Sequence, residues 1–246
     1  MDNVASVIDR YVAVWNESDA ATRRRRIAAV WAPNGTTCYR LLDAHGYEAI
    51  ESRVTGSWDR WLREGKYVFR PAKAVSHHQA IKFEFAMVAT DGGKVEANGL
   101  CYLLLDNDGR LVHDYQFNPL ADDAVDLAAK YLAPWNETDA KLRRSLMTEL
   151  WAENGVYSGQ NLETRGLEEL SKRAAEAHRN LVAKGFVVSP ADRSQRHHNV
   201  AHIAWRIAPR DGGAATGVGS TLLIFDEDSR ILIAHQFHER IGSLLS

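Results

Sequence analysis

Histidines are the residues whose type and spacing in this sequence most directly suggest chemistry. The chain has ten, and a neutral imidazole in an apolar cavity can act as a general acid or base near pH 7. His113 and His235 lie in matching strand-like segments. His77-His78 and His197-His198 are adjacent pairs whose rings point to opposite sides of a strand. No His-x-x-x-His or carboxylate–His spacing accompanies them, so we expect no metal and no other cofactor.

An internal repeat determines where these residues lie. The segment YVAVWNESDA (Tyr11–Ala20) recurs as YLAPWNETDA (Tyr131–Ala140), 120 residues later. Without a gap, residues 11–120 share 31 identities with the residues at this offset, whereas chance gives roughly 6%. A solenoid unit is shorter than this period. The chain of 246 residues is therefore predicted to hold two copies of one domain, 1–119 and 120–246.

The first part of each copy has the periodicity of helices. Apolar residues at helical spacing predict a first helix over 4–15 and a third helix over about 48–64. A second helix is expected to reach about Ala32 and to stop at Asn34-Gly35, residues that accept a left-handed conformation.

The second part of each copy has the pattern of strands. Residues 81–87 alternate between apolar and polar, and strands over 97–105 and 110–117 follow. Asp91-Gly92-Gly93 is typical of a hairpin turn, and residues 106–109 form the next turn. Helices followed by an antiparallel meander predict an α+β fold for each copy.

Composition excludes several classes of protein. The 30 Lys and Arg residues nearly balance 32 Asp and Glu residues, so neither nucleic acid nor an anionic membrane meets a strong field. Arg23–Arg26 covers every side of a helix and is expected to be mostly solvated. No apolar run is long enough to span a membrane. The start of the sequence lacks the basic and apolar regions of a signal peptide, so we expect a cytoplasmic protein.

The two cysteines, Cys38 and Cys101, align with Ser158 and Thr221 of the second copy. Interchange with small hydroxyl residues indicates small packed or pocket side chains and argues against a disulfide.

Several motifs together carry a resemblance to a known family. They are the two WNE(S/T)DA segments, WAPNG and WAENG, the histidine pairs, and LLLDNDGRL and LIFDEDSRI. With them the sequence resembles the NTF2-like superfamily, in particular its SnoaL-like polyketide cyclase and ketosteroid isomerase branch, twice along the chain. The resemblance implies a bent antiparallel sheet around helices with a cone-shaped pocket.

Dimers in this family commonly pack sheet on sheet, and the strand 99–106 is apolar on both faces. We therefore expect the two copies to form an internal pseudo-dimer within a monomeric chain. The alternative is an ordinary central strand covered by local loops.

The resemblance also implies site residues. Tyr11 and Tyr131 match a first-helix tyrosine whose hydroxyl donates to a developing enolate. The alternative for each is a packed tyrosine with a satisfied hydroxyl. The family's two carboxylates do not carry over, because their positions hold Tyr39-Arg40 and Cys101 in the first copy. The second copy has Gly159-Gln160 and Thr221 there.

Two kinds of residue could replace these carboxylates. Asp43 and Glu163 are expected at the pocket rim, where desolvation would make either a base, or else they are solvated loop carboxylates. By the resemblance Phe117 and Phe237 line the pocket. His113 and His235 would then point inwards, the alternative being a core or interface histidine.

The predicted lining differs between the copies, so that one pocket could be active and the other a relic. Trp58 and Trp61 correspond to His178 and Leu181. The side chains expected to contact substrate are Trp15, Tyr39, Cys101, Tyr115 and Phe117 in the first copy, and Trp135, Tyr157, Thr221 and Phe237 in the second.

Three functions remain open at this point. The first is a cofactor-free enzyme that isomerises, cyclises or hydrates a hydrophobic, polyketide- or terpenoid-like molecule. The second is a non-catalytic small-molecule-binding protein, which the missing carboxylates favour. The third is an accessory module that binds another protein through its sheet face.

Overall fold

The computed structural model describes residues 4–118, 123–191 and 193–239. The chain divides into two compact units, residues 1–119 (unit 1) and 120–246 (unit 2). Each unit combines helices with one sheet, so the predicted α+β class is confirmed.

Residues 4–118 of unit 1 form three helices and six strands. The helices are α1 (Val4–Trp15), α2 (Ala20–Val30) and α3 (Gly46–Trp61), and the strands are β1 (Trp31–Tyr39), β2 (Leu42–His45), β3 (Tyr67–His77), β4 (Ala80–Ala89), β5 (Val95–Leu105) and β6 (Leu111–Phe117). The sheet order is β2-β1-β6-β5-β4-β3. All neighbours are antiparallel except β1 and β6, which run parallel. The sheet is therefore mixed, not purely antiparallel as predicted.

Unit 2 repeats this topology with one strand divided. Its helices are α4 (Val125–Asn136), α5 (Ala140–Leu150), α6 (Leu167–Asn180) and a short 3-10 turn (Val182–Lys184), and its strands are β7 (Trp151–Gly159), β8 (Leu162–Arg165), β9 (Phe186–Pro190), β10 (Gln195–His197), β11 (Val200–Pro209), β12 (Gly217–Phe225) and β13 (Ile231–Glu239). Strands β9 and β10 both pair with β11 and together replace β3.

The repeated WNE(S/T)D segment joins the first helix of each unit to its sheet. In unit 1 the Asn16 amide donates to the carbonyl oxygen of Phe69 at 2.8 Å and accepts from its N–H at 2.8 Å. Asn136 makes the same pair of hydrogen bonds with Val188, at 2.6 and 2.9 Å. These four hydrogen bonds satisfy backbone groups that would otherwise lack a strand partner, which explains why this segment is the best preserved part of the repeat.

The core of unit 1 lies between the three helices and the inner face of the sheet. Buried residues from both sides form it, among them Val7, Ile8, Val14, Ile50, Val54, Phe83 and Leu103. On β5, Tyr102 and Leu104 point to the opposite face and are buried too. The strand is therefore buried on both faces from Gly99 to Leu104, as its sequence predicts.

The second helix ends earlier than predicted. It stops at Val30, and Trp31 begins β1. Gly35 lies inside β1 and does not cap a helix. A Cβ atom there would lie 2.8 Å from the carbonyl oxygen of Leu111 and 2.9 Å from the Trp31 ring. The glycine permits β6 to approach β1 closely. This steric requirement, and not a left-handed turn, explains why a glycine occupies position 35.

The histidine pairs also differ from prediction, because each ends a strand and enters a turn. His77 is the last residue of β3 and pairs with Ala80 of β4. His78 has a φ of +49° in the tight connection between them. His198 has the corresponding φ of +48°. The rings of His77 and His78 meet edge to face at 5.5 Å. These pairs form hairpin turns.

None of the helices in the described part of the chain has the length and apolar character needed to cross a membrane.

Two glycine substitutions in unit 1 should have opposite effects on stability. Gly35→Ala forces a Cβ against the β6 backbone and should lower the free energy of unfolding by about 1–3 kcal/mol. Gly56→Ala, in α3, meets nothing within 4 Å and should raise it by about 0.5–1 kcal/mol. Urea denaturation followed by tryptophan fluorescence measures both. An unchanged midpoint for Gly35→Ala would disprove the close approach.

Candidate active site

A buried polar cluster lies in unit 1 where α1 faces the sheet. Alternation along β6 directs Asp114 and Gln116 towards the helices, and Thr37 of β1 is the register partner of Asp114. Tyr11 of α1 points at the same place. All four side chains are buried, and Asp114 has no exposed surface.

One carboxylate oxygen is the centre of this cluster. Asp114 Oδ2 accepts three hydrogen bonds, from the Tyr11 hydroxyl at 2.9 Å, the Thr37 hydroxyl at 2.8 Å and the Gln116 amide at 2.9 Å. The other oxygen, Oδ1, is buried and accepts none. Three donors thus fix the orientation of the carboxyl group and leave its other oxygen without a hydrogen bond.

This environment brings Asp114 into the range of acid–base catalysis. Burial raises the pKa of its carboxyl group, while the bonds from Thr37, Gln116 and Tyr11 and the charge of Arg53 lower it, with a net result of about 6. A group that titrates near neutral pH can both take up and release a proton under ordinary conditions.

The other ionisable side chains that touch Asp114 stay neutral. Burial, and then the Asp114 charge, raise the pKa of Tyr11 well above its ordinary value. The same two causes raise the pKa of the Cys101 thiol, whose sulfur lies 3.6 Å from the Tyr11 hydroxyl. The tyrosine ring packs against Trp31 and Phe83, each with centroids 5.5 Å away. Tyr11 is therefore a rigid, uncharged hydrogen-bond donor.

Arg53 of α3 supplies the positive charge at this site. Its guanidinium donates to Gln116 Oε1 at 3.1 Å. It also lies over the rings of Trp15 and Tyr39, 5.3 and 5.8 Å from their centroids. The side chain is half-buried. Gln116 therefore connects the arginine to the Asp114 carboxyl group through one amide.

The structure brings together four of the residues predicted for the first copy. Tyr11 and Cys101 contact each other beside Asp114, and Trp15 and Tyr39 flank Arg53. Their roles in substrate binding or catalysis remain predictions.

His113, Tyr115 and Phe117 do not point inwards, contrary to the prediction for this strand. They share the face of β6 opposite to Asp114. His113 hydrogen-bonds Thr36 at 2.9 Å and stacks on Tyr115 with centroids 5.3 Å apart. Burial, and then the charge of His45, lower the pKa of His113. The prediction chose the wrong face because both faces of β6 are buried, so burial alone could not select between them.

Asp43 lies apart from the Asp114 cluster, on β2. It accepts a hydrogen bond from the Cys38 thiol at 3.1 Å and lies 2.9 Å from His45 Nε2. Burial, and then Asp43, raise the pKa of Cys38, so this thiol is a poor nucleophile. Cys38 and Cys101 are both free and buried, as predicted.

Among the described residues of unit 2, no carboxylate is buried in the corresponding interior. Ala234 occupies the position of Asp114, and Tyr157 that of Thr37. Tyr131 is buried here, and burial, then Tyr157, raise its pKa. The Trp135 ring lies 6.4 Å from Tyr131 and 5.8 Å from Tyr157. Unit 2 therefore assembles an aromatic cluster where unit 1 has its polar one.

The remaining predicted residues of unit 2 lie at three places. Thr221 accepts a hydrogen bond from the Trp205 indole at 3.1 Å. His235 and Phe237 lie on the face of β13 opposite to Ala234, as their counterparts do in unit 1. Glu163 is 2.7 Å from the guanidinium of Arg165.

Four residues of the cluster were missed from the sequence. Hydrogen bonds connect them to the Tyr11 hydroxyl or to one another, and they are Thr37, Arg53, Asp114 and Gln116. One signal was present: Asp114 is the only carboxylate in the segment Leu111–Phe117, and alanine replaces it at the same position of the copy.

Across residues 4–118, 123–191 and 193–239, no group of three or more His, Cys, Asp and Glu side chains is arranged to hold a metal ion.

The raised pKa of Asp114 predicts a specific dependence of stability on pH. Its folded-state value of about 6 exceeds the ordinary 3.8, so the folded state binds more protons than the unfolded state between these values. The contribution of Asp114 to stability is fully present below about pH 4 and is lost as pH rises through 6. The free energy of unfolding should fall by about 3 kcal/mol in all over this range. Asp114→Asn should remove this loss in denaturation curves recorded from pH 4 to 7.

The exposed carboxylate Asp126 provides the control, because Asp126→Asn should leave the pH dependence unchanged. A wild-type slope retained by Asp114→Asn would contradict the assignment.

Comparison with known proteins gives similarities of fold for one half of the chain at a time. No protein-family model matches the sequence, and no curated protein matches it. A candidate isomerase of the SnoaL-like family from Agrobacterium tumefaciens strain C58 is 26% identical, with 47% of this chain and 96% of that chain covered and a TM-score of 0.44.

Two further structures carry related names. A candidate polyketide cyclase from Sinorhizobium meliloti is 12% identical over 46% of this chain and 94% of its own, with a TM-score of 0.36. A SnoaL-like protein of unknown function from Burkholderia thailandensis is 15% identical over 48% and 95%, with a TM-score of 0.38. Each of these three structures covers just under half of this chain and nearly all of its own, a length that fits one copy of the repeat.

Proposed function

We propose that unit 1 is a cofactor-free acid–base site that acts on a hydrophobic small molecule, and that Asp114 is its catalytic group. The observation that carries this proposal is the divided environment of the carboxyl group. Oδ2 is held by three donors, whereas Oδ1 is buried and unpaired. An unpaired buried acceptor is costly for a protein to maintain, and a ligand that donates to it would recover that cost.

The chemistry follows from the two protonation states of Asp114. As a carboxylate it takes a proton at Oδ1 from a carbon or hydroxyl group of the ligand. As a carboxylic acid it returns that proton at a second position, which completes an isomerisation with no net change in atoms. Cyclisation or hydration would use the same two half-steps, with a carbon–carbon or carbon–oxygen bond formed between them.

The three donors would keep the base usable at neutral pH. Their hydrogen bonds favour the charged form and oppose the effect of burial. Without them the carboxyl group would hold its proton at higher pH and would be a base in a smaller fraction of molecules. Tyr11, Thr37 and Gln116 are thus positioning residues for Asp114.

In this proposal unit 2 is not a proton-transfer site. Ala234 supplies no carboxylate. The Tyr157 ring approaches Trp135 at the place where unit 1 has the Thr37 hydroxyl and the unpaired oxygen of Asp114. Its aromatic interior is compatible with a structural or ligand-binding role. Chemical conversion of a ligand by unit 1 would distinguish this proposal from the alternative, in which the protein only binds its ligand.

A general-base probe tests the proposal without knowledge of the natural substrate. Ring opening of 5-nitrobenzisoxazole requires removal of one carbon-bound proton and yields a coloured phenolate. The wild-type rate constant kcat/KM should rise with pH through about 6, because the carboxylate form is the active one. Asp114→Asn should lower it by about 10²-fold or more.

Two further variants sharpen this test. Tyr11→Phe removes a hydrogen bond that lowers the Asp114 pKa, so the midpoint of the pH–rate profile should move upwards. Asp126→Asn removes an exposed carboxylate of unit 2 and should match the wild type. An Asp114→Asn variant as active as the wild type would show that the proposal is wrong.

A further inference from the structure

The positive charge of Arg53 in the unit 1 cluster is not balanced by a direct ion pair within the described residues. Its contacts are the Gln116 carbonyl oxygen and the faces of Trp15 and Tyr39. Among the described residues it forms no salt bridge, and its buried Nε donates no hydrogen bond. Its charge does act on Asp114, but Gln116 lies between the two groups. A half-buried guanidinium without a direct counter-ion is unusual, because burial of an unpaired charge costs free energy.

The second unit shows how the same arginine is neutralised elsewhere in this chain. Arg173 occupies the equivalent position in α6 and lies over the Tyr157 ring at 5.8 Å. It also forms an ion pair with Glu176 at 3.0 Å, three residues along the same helix. In unit 1 the position of Glu176 is Gly56, where an added Cβ meets nothing within 4 Å. A side chain can therefore start at position 56 without a clash at its Cβ, and the glycine there supplies no carboxylate.

We propose, on the basis of the function proposed above, that Arg53 binds an anionic oxygen of the ligand, so that the ligand of unit 1 is a planar, conjugated carboxylate or enolate. The guanidinium is planar and offers donors along its edge in a geometry that matches an oxyanion. The guanidinium carbon already lies over the rings of Trp15 and Tyr39, so a ligand oxygen bound to its N–H groups would lie close to two aromatic rings. A flat, unsaturated skeleton fits beside rings in that position.

This assignment also gives the site a balanced set of charges. An oxyanion at Arg53 adds a negative charge near Asp114, which favours the protonated form of that carboxyl group. The other polar groups around Asp114 are Tyr11, Thr37, Gln116 and the Cys101 thiol, and they are neutral. The occupied site would then contain one cation, one anion and a carboxylic acid whose proton is available to the ligand.

A matched pair of ligands tests the inference on the full-length chain. Cinnamate is a planar unsaturated carboxylate, and cinnamyl alcohol has the same skeleton without the charge. Isothermal titration of the wild type should show cinnamate bound at least about tenfold more tightly, the size of a charge-assisted hydrogen bond. Arg53→Gln should abolish this preference.

The second unit supplies the complementary variants. Gly56→Glu introduces the carboxylate that neutralises Arg173 in unit 2, and it should reduce the preference for cinnamate in the same way as Arg53→Gln. Arg173→Gln and Glu176→Gly change the same two positions in unit 2 and should keep the wild-type preference.

Three outcomes would overturn the inference: equal affinity of the wild type for both compounds, no binding of either at millimolar concentration, and a preference that survives Arg53→Gln. The opening of 5-nitrobenzisoxazole separates this failure from failure of the proposed function. A rate that still depends on Asp114 without any anion preference would reject only the role of Arg53. A rate that does not depend on Asp114 would reject the proposed function, whichever ligand binds.

Discussion

The burial of one carboxyl group is the constraint on which the interior of unit 1 depends. Asp114 has no contact with solvent, so its charged form needs donors from the protein. These come from α1, β1 and β6. The parallel pairing of β1 with β6 places Thr37 beside Asp114, and the Asn16 anchor joins the end of α1 to the sheet. Features that are remote in the sequence are thus needed together to keep this group ionisable.

The two units show that one scaffold can hold either a polar or an aromatic interior. Helices, sheet order and the asparagine anchor are retained in both. The polar cluster is lost through changes at two facing positions: Ala234 stands in place of Asp114, and Tyr157 in place of Thr37. A smaller residue on one strand accompanies a larger one on its neighbour, which conserves packing while removing the charge. The fold of the unit is therefore the same whether or not the polar cluster is present.

The sequence predicted the architecture better than the site, and the reason is physical. Periodicity located α1, the last strands and their turns, because each pattern is local. It gave no bounds for β3, because the middle five residues of this strand are all exposed and show no alternation. It extended α2 past Val30 because the close approach at Gly35 depends on β6, more than 70 residues away.

The site required information of the same long-range kind. Tyr11 and Cys101 could be named from the family resemblance, but a strand buried on both faces does not reveal which side holds the helices. The face chosen from Phe117 led to His113 instead of Asp114. The contrast between Asp114 and Ala234 would have been the better guide, since a duplicated fold keeps packing residues similar in both copies. A charged residue that is buried in only one of the two copies needs hydrogen-bond partners around it. Those partners identify the site.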